Sequence, residues 1–306
     1  MIHNQRKAYL FATLSILAWS SISTAFKLSL QGLSPIGLLW IASFTAALFL
    51  GISCLVVYRL PQTFSSALKT FGQNARKSLL PAALNPFLYY LILFEAYSRL
   101  RAQEAQALNY TWAIVLAMFG IWLLKEKFRL LDLFALLLSF FGVWLISAKG
   151  AFTSVHFDDL GGSVMAVCTS FIWAGYWIIN LKDKRPAVQK LFFNFLLGFV
   201  FITLLVLIRK PSLITQAGLL KQGLFAGIYV GVFEMGLTFL LWFKALEYTK
   251  STAAISNLIF LTPFISLLFI RLLLQESIHP ATFAGLILIV ISNLAQKSIS
   301  HSKRKA

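Results

Sequence analysis

The sequence predicts an all-α membrane protein with ten transmembrane helices, organised as two inverted five-helix repeats. Three observations lead there. Of 306 residues, 59% are hydrophobic and only 12% charged, with a mean hydropathy of +0.80, whereas about a quarter of a soluble domain is charged. The apolar runs extend for about 20 residues, long enough for a helix to cross a bilayer and twice the length of an alternating barrel strand. The chain also repeats itself. Leu123-Leu124-Lys125-Glu126 returns as Leu273-Leu274-Gln275-Glu276, Pro35 as Pro186, Phe64, Leu68 and Phe71 as Leu213, Ala217 and Leu220, and Trp19 as Trp173, at offsets of 150, 151, 149 and 154.

In lipid every backbone polar group needs an internal partner, so each long apolar run is read as a helix. The first, Tyr9–Leu30, has the layout of a secretory signal: Arg6-Lys7, an apolar stretch from Ala8 to Ala18, then small residues through Ala25. Removing it would leave nine spans and break the five-plus-five pairing, so a retained helix is expected. The second span opens at Pro35 and ends at Val57, and the third, Leu79–Tyr97, carries Asn85-Pro86 in its interior. The fourth is Ala105–Leu124 and the fifth, shorter, Leu131–Ser147. The second half supplies Gly162–Leu181, Val188–Ile208, Gly223–Leu246, Thr252–Leu274 and a short Ala281–Ala295. Between the second and third spans of each half lies an amphipathic insert, Thr63–Lys77 and Ser212–Gln222, whose apolar residues recur as in helices lying on a membrane surface.

Five is odd, so the second half enters from the opposite face and the repeats, 1–150 and 151–306, are inverted. A net charge of +17 raises nucleic acid as a partner, but the positions of the charges exclude it. With the N-terminus in the cytoplasm, 18 Lys and Arg fall in inner segments and 6 in outer ones, leaving Lys27, Lys244 and Arg271 within or at the ends of spans. That asymmetry is the positive-inside pattern and sets both termini in the cytoplasm. The basic residues encode orientation in a lipid bilayer.

The leading candidate for chemistry is Glu234, in the middle of the eighth span. A charge at that depth costs roughly 2.5–3.5 kcal/mol on insertion scales, so such residues usually face a bundle interior or a pathway. Glu234, Thr238 and Trp242 fall four residues apart on one helical stripe. Aligning Ala96 with Ala245 sets Asn85 opposite Glu234, with Pro86 freeing backbone carbonyls beside it. Glu234 is then expected to take up a proton or a substrate ammonium; a structural bond, or pairing with Lys27 or Lys244, is the alternative. Trp19, Ser23 and Lys27 form a second stripe, and Lys27 is near enough to the outer end to snorkel. Trp19, Tyr89, Asn109, Trp112, Trp173 and Tyr176 are expected to wall a cavity able to stack planar or apolar groups, with ordinary helix packing as the competing account. Pro263 and Pro86 interrupt helices in mid-membrane and are candidates for gating. Glu126 and Glu276 are expected to hold turn geometry at span ends.

No catalytic signature accompanies these residues. His3, His156, His279 and His301 lie in tails or loops, Cys54 and Cys168 read as small apolar fillers, and neither a P-loop nor a dinucleotide glycine fingerprint occurs. No metal, cofactor or enzymatic activity is expected. Duplicated helical halves enclosing a site near the bilayer midplane describe many secondary transporters. A channel or a non-transporting scaffold is the alternative, and a membrane-embedded enzyme a more distant one.

Trp19 through Lys27, Ala245-Leu246, Thr262-Pro263-Phe264, the Glu126 and Glu276 span ends, and the small residues Gly142 and Gly285 together resemble the EamA-type carriers of the drug/metabolite transporter superfamily. The resemblance covers essentially the whole chain. Asn109-Tyr110-Thr111-Trp112 is further similar to the fourth-helix segment of bacterial aromatic amino acid exporters, with Ala113 where that segment has proline and Ser43 where many members carry arginine. The resemblance implies an inner-membrane carrier, monomer or homodimer, exporting amino acids or related small molecules, with or without proton coupling.

Overall fold

An unpartnered amide in hydrocarbon costs several kcal/mol, and a helix removes that cost within a single segment. The computed structural model of the chain meets the demand with helices alone. It describes residues 4–57, 64–124, 130–147, 159–209, 223–249, 255 and 258–302, and no strand occurs among them. The first half contains α1 (Gln5–Leu30), α2 (Pro35–Val57), α3 (Phe64–Ala82), α4 (Tyr89–Arg99), α5 (Ala102–Asn109), α6 (Trp112–Leu124) and α7 (Leu130–Ser147). The second contains α8 (Leu160–Lys182), α9 (Ala187–Arg209), α10 (Leu224–Tyr229), α11 (Thr238–Tyr248), α12 (Thr262–Leu273) and α13 (Pro280–Ser302). Two π segments interrupt the helices: Ala83–Leu88, whose wide turn is a kink at the non-helical Asn85, joins α3 to α4, and Val230–Leu237 joins α10 to α11.

Seven of the resulting stretches are long and apolar enough to cross a membrane, and three shorter apolar helices, Leu133–Ile146, Ile259–Leu273 and Pro280–Ser292, accompany them. Three expectations change in detail. The insert at Thr63–Lys77 is continuous with the third span: α3 runs from Phe64 through the π segment into α4, because nothing near Lys77 stops the helix. The fourth span divides at Tyr110-Thr111 into α5 and α6. The last helix extends to Ser302, past Ala295. The second insert at Ser212–Gln222, together with Glu126, lies outside the described residues, as do 252–254, the first residues of the expected ninth span.

The two halves do not form separate cores. α2 packs on α9, α7 on α13, α4 and α6 on α8, and α1 on α11 and α12. One hydrophobic cluster accordingly draws buried residues from both halves, among them Leu38, Phe94, Tyr176, Phe195, Phe239 and Ile289. Glycines set the closest approaches. A Cβ built on Gly142 would lie 2.8 Å from the Gly285 carbonyl, and one on Gly285 would lie 2.6 Å from the Gly142 carbonyl, so α7 and α13 meet backbone to backbone. Gly198 of α9 receives the Pro86 ring, and Gly231 lies against the Ala42 carbonyl of α2. Both π segments therefore seat on the second helix of the opposite half.

The corner between α4 and α5 is clamped from two sides. Lys27 donates to the carbonyls of Tyr97 and Leu100, both at 2.9 Å, where the last turn of a helix presents unsatisfied acceptors. Glu276 accepts from the Ala102 N–H at 3.2 Å, satisfying a donor at the start of α5. Gln103 completes the clamp, donating to the Ser277 carbonyl and accepting from the His279 N–H. Glu276 thus holds a corner, as expected of it, by capping a helix. The turn that aims it passes through Gln275 at φ 56°, a conformation that favours glycine. Gln275→Gly is expected to raise the thermal midpoint of the detergent-solubilised protein, by relieving about 1 kcal/mol of αL strain, and Gln275→Val to lower it.

On the face where the sequence places the cytoplasm, Arg185 ties the α8–α9 turn to α3. Its guanidinium donates to both Asp183 carboxylate oxygens, to the Asn74 carbonyl and to the Ser78 hydroxyl. Partial burial pushes the Asp183 carboxyl up, but the bonds from the Arg185 side chain and N–H outweigh it and hold the group below its ordinary range.

Candidate functional site

The site grows from the two helix interruptions. At Asn85 the backbone leaves the helix (φ −144°, ψ 119°), and the Asn85–Pro86 peptide is cis. In the second half the interruption is the π segment that contains Glu234. A π turn inserts extra residues and resets the side-chain phase of the helix beyond it, and such turns gather at functional sites. Each interruption delivers a buried polar side chain, Asn85 at 0% exposure and Glu234 at 8%.

Glu234 is partly satisfied. Its Oε1 accepts a hydrogen bond of 2.9 Å from the Tyr90 hydroxyl, and the Trp19 side chain also interacts with the carboxylate. Its Oε2 is buried and makes no hydrogen bond of normal geometry. The two cations offered as alternative partners are engaged elsewhere: Lys27 caps α4, and Lys244 pairs with Glu247 at 2.8 Å.

The aromatic side chains pack against one another in a row. Trp242 lies against Trp19 (ring centroids 5.5 Å), Trp19 against Phe239 (5.9 Å), Phe239 against Trp173 (5.8 Å), and Trp173 stacks on Tyr89 at 4.7 Å. Tyr176 extends the row, 5.7 Å from Trp173, and Tyr90 closes it, 4.7 Å from Tyr89. Rings from α1, α4, α8 and α11 thus form one continuous row, and two of its members, Tyr90 and Trp19, reach the carboxylate.

Two placements differ from the sequence reading. Asn85 and Glu234 do not bond to one another; Asn85 lies instead beside the Tyr176 hydroxyl, which also accepts from Asn194 at 3.4 Å. The cause is the exchanged seating of the π segments, the first against α8 and α9 and the second against α1 and α2, which sends the two side chains to different partners. Thr238 is buried, and its hydroxyl bonds the Phe233 carbonyl of its own helix rather than a group across the site.

Asn109 forms a separate node. Its amide nitrogen donates to the Thr169 hydroxyl at 2.7 Å, its amide oxygen accepts from Tyr89 at 3.3 Å, and its carbonyl accepts from Ser170. Trp112 is half-buried at the edge of the common core. Pro86 lies within its interruption and packs on Gly198. Pro263 stands in the first turn of α12, after the short 3₁₀ turn Ile259–Leu261, where a missing N–H costs nothing. Tyr90, Asn194 and Phe239 are not singled out by the sequence. Tyr90 sits in an apolar run beside Tyr89, and only its phase after the Asn85 interruption turns it to Glu234.

A helical membrane protein with a carboxylate buried at a helix interruption has the form of a transporter. The family comparison agrees: the model of the EamA-like transporter family matches residues 6–148 and again 160–295. The chain belongs to this family and is a multi-pass membrane transporter of small molecules. A search of curated proteins gave no match. Among solved structures, one crystal structure is similar over 99% of this chain and 100% of its own, at 18% identity and a TM-score of 0.61, a likeness of fold.

Proposed function

We propose that the protein is a secondary carrier with ten transmembrane helices in two inverted halves, 1–150 and 151–306, with both termini cytoplasmic. It exports amino acids or related small metabolites across a bacterial inner membrane by alternating access. The observation that carries this reading is the Glu234 carboxylate, buried at a helix interruption beside a row of aromatic side chains from both halves, with one oxygen unpartnered. Desolvated in this way, the group takes a substrate ammonium or a proton, and the rings contact the rest of the substrate. The inter-helix contacts support a duplicated mechanism, because exchanging the halves maps α1 on α11 to α8 on α4, and α1 on α12 to α8 on α5 and α6. Such exchange lets an opening at one face mirror a closing at the other. Pro86 marks where the third span bends, and Pro263 opens α12.

Proteoliposomes containing the purified protein, supplied with radiolabelled amino acids with and without a pH gradient, test the proposal. Saturable flux accelerated by substrate on the opposite side is expected, and an effect of the gradient identifies proton coupling. Linear flux would make the protein a channel, and absence of amino acid flux would reject the substrate class.

A further inference from the structure

We propose that Tyr90 is an internal stand-in for the substrate: its hydroxyl holds Glu234 while the carrier is empty and gives up that oxygen to the substrate's ammonium. The inference rests on the transport reading of Glu234 given above. Tyr90 is completely buried, and its hydroxyl donates to Glu234 Oε1 at 2.9 Å, the bond that links α4 of the first half to the π segment of the second. Its ring is fixed between Tyr89 (4.7 Å) and Phe94 (5.3 Å), so the hydroxyl is aimed by packing.

Two facts about the carboxylate make this bond consequential. With Oε2 already unpartnered, losing the Tyr90 bond would leave a buried carboxyl with neither oxygen satisfied by a hydrogen bond of normal geometry, a state that raises the free energy of the closed, empty protein. A substrate ammonium carries three donors and a full charge, and charge-assisted hydrogen bonds are about twice as strong as neutral ones. The ammonium therefore displaces the hydroxyl when present, and the hydroxyl returns when it leaves. Tyr90 serves the step in which the empty carrier resets and is dispensable in the step that moves substrate. It is a positioning residue for Glu234, and its loss separates two rates that a packing defect would lower together.

The test uses proteoliposomes and a radiolabelled amino-acid mixture, comparing exchange, with the mixture on both sides, against net efflux into substrate-free buffer. Tyr90→Phe, which keeps the ring, is expected to lower net efflux about tenfold or more relative to exchange. Equal loss of both rates, no loss of either, or loss of exchange alone would overturn the inference. Should Tyr90→Phe fail to accumulate, fluorotyrosine placed at position 90 of the otherwise unaltered chain retains the hydroxyl. Its fluorine resonance is expected to move when the mixture is added, and a stationary signal in transporting protein would overturn the inference equally. Glu234→Gln run alongside separates the two levels. Wild-type flux in that variant removes the reading of Glu234 itself, whereas its inactivity combined with any of the contrary Tyr90 results removes the stand-in alone.

Discussion

Glu234→Gln is expected to abolish transport while the protein remains in the membrane at wild-type abundance. The substitution preserves shape and leaves an amide oxygen able to accept from Tyr90, so the buried bond of 2.9 Å has a neutral equivalent and folding is spared. It removes the negative charge and with it any capacity to neutralise an ammonium or to carry a proton. Truncating one member of a desolvated charge pair costs about 2–5 kcal/mol, which places residual flux near one hundredth of wild type or below. Flux in proteoliposomes, normalised to reconstituted protein, measures the effect, and membrane abundance by immunoblot separates it from misfolding. Glu234→Asp keeps the charge but shortens the reach past the Tyr90 hydroxyl, and is expected to retain part of the activity. Full flux in the Gln variant would mean that the carboxylate is a structural group.

Gly285→Leu is expected to be the most damaging substitution away from the site. A Cβ at that position would stand 2.6 Å from the Gly142 carbonyl and 2.6 Å from Ile146 Cγ1, so the intrusion begins with the first atom of the side chain. Backbone has no rotamer to escape into. Overpacking of a fitted interior costs about 1–3 kcal/mol, and three further carbons between α7 and α13 exceed what a flexible neighbour absorbs. The expected outcome is a markedly lower midpoint in detergent thermal unfolding and reduced membrane abundance, with Gly285→Ala intermediate. Wild-type stability of Gly285→Leu would show that the two helices separate more readily than their backbone contact implies.

The helical character of the chain, most of its spans and the burial of Glu234 are legible in the sequence because they depend on local hydropathy and on the rarity of charge at depth. The start of the second span is legible to the residue, since Pro35 opens it. What is not legible depends on phase. A hydropathy pattern assumes a constant number of residues per turn, and the two π segments violate that assumption where the site is built. Regular spacing assigns Thr238 to the Glu234 stripe, yet its hydroxyl turns into its own helix; Tyr89 is legible as a mid-span aromatic, yet its neighbour Tyr90 is the one that reaches the carboxylate. The pairing of Asn85 with Glu234 fails for a related reason: repeat alignment gives equivalence of position, not contact, and here Asn85 lies beside Tyr176 while Glu234 bonds Tyr90. Most of the row of rings from Trp242 to Tyr89 is legible, Phe239 excepted, because large aromatic side chains in mid-span have few places to go except the shared interior.

The interleaving of the halves has a consequence for biosynthesis. α2 makes its extensive contact with α9, whose synthesis begins about 150 residues later, an interval of roughly ten seconds or more at ordinary ribosomal speed. For that time the newly inserted amino-terminal helices wait in lipid with their mating faces exposed, Gly142 among them. A ribosome that stalls before α8 leaves an orphan with no partner for α2 or α7, a substrate for membrane quality control. Splitting the gene between Ser147 and Leu160 and expressing either fragment alone yields the same orphan, and supplying both at once restores the missing faces.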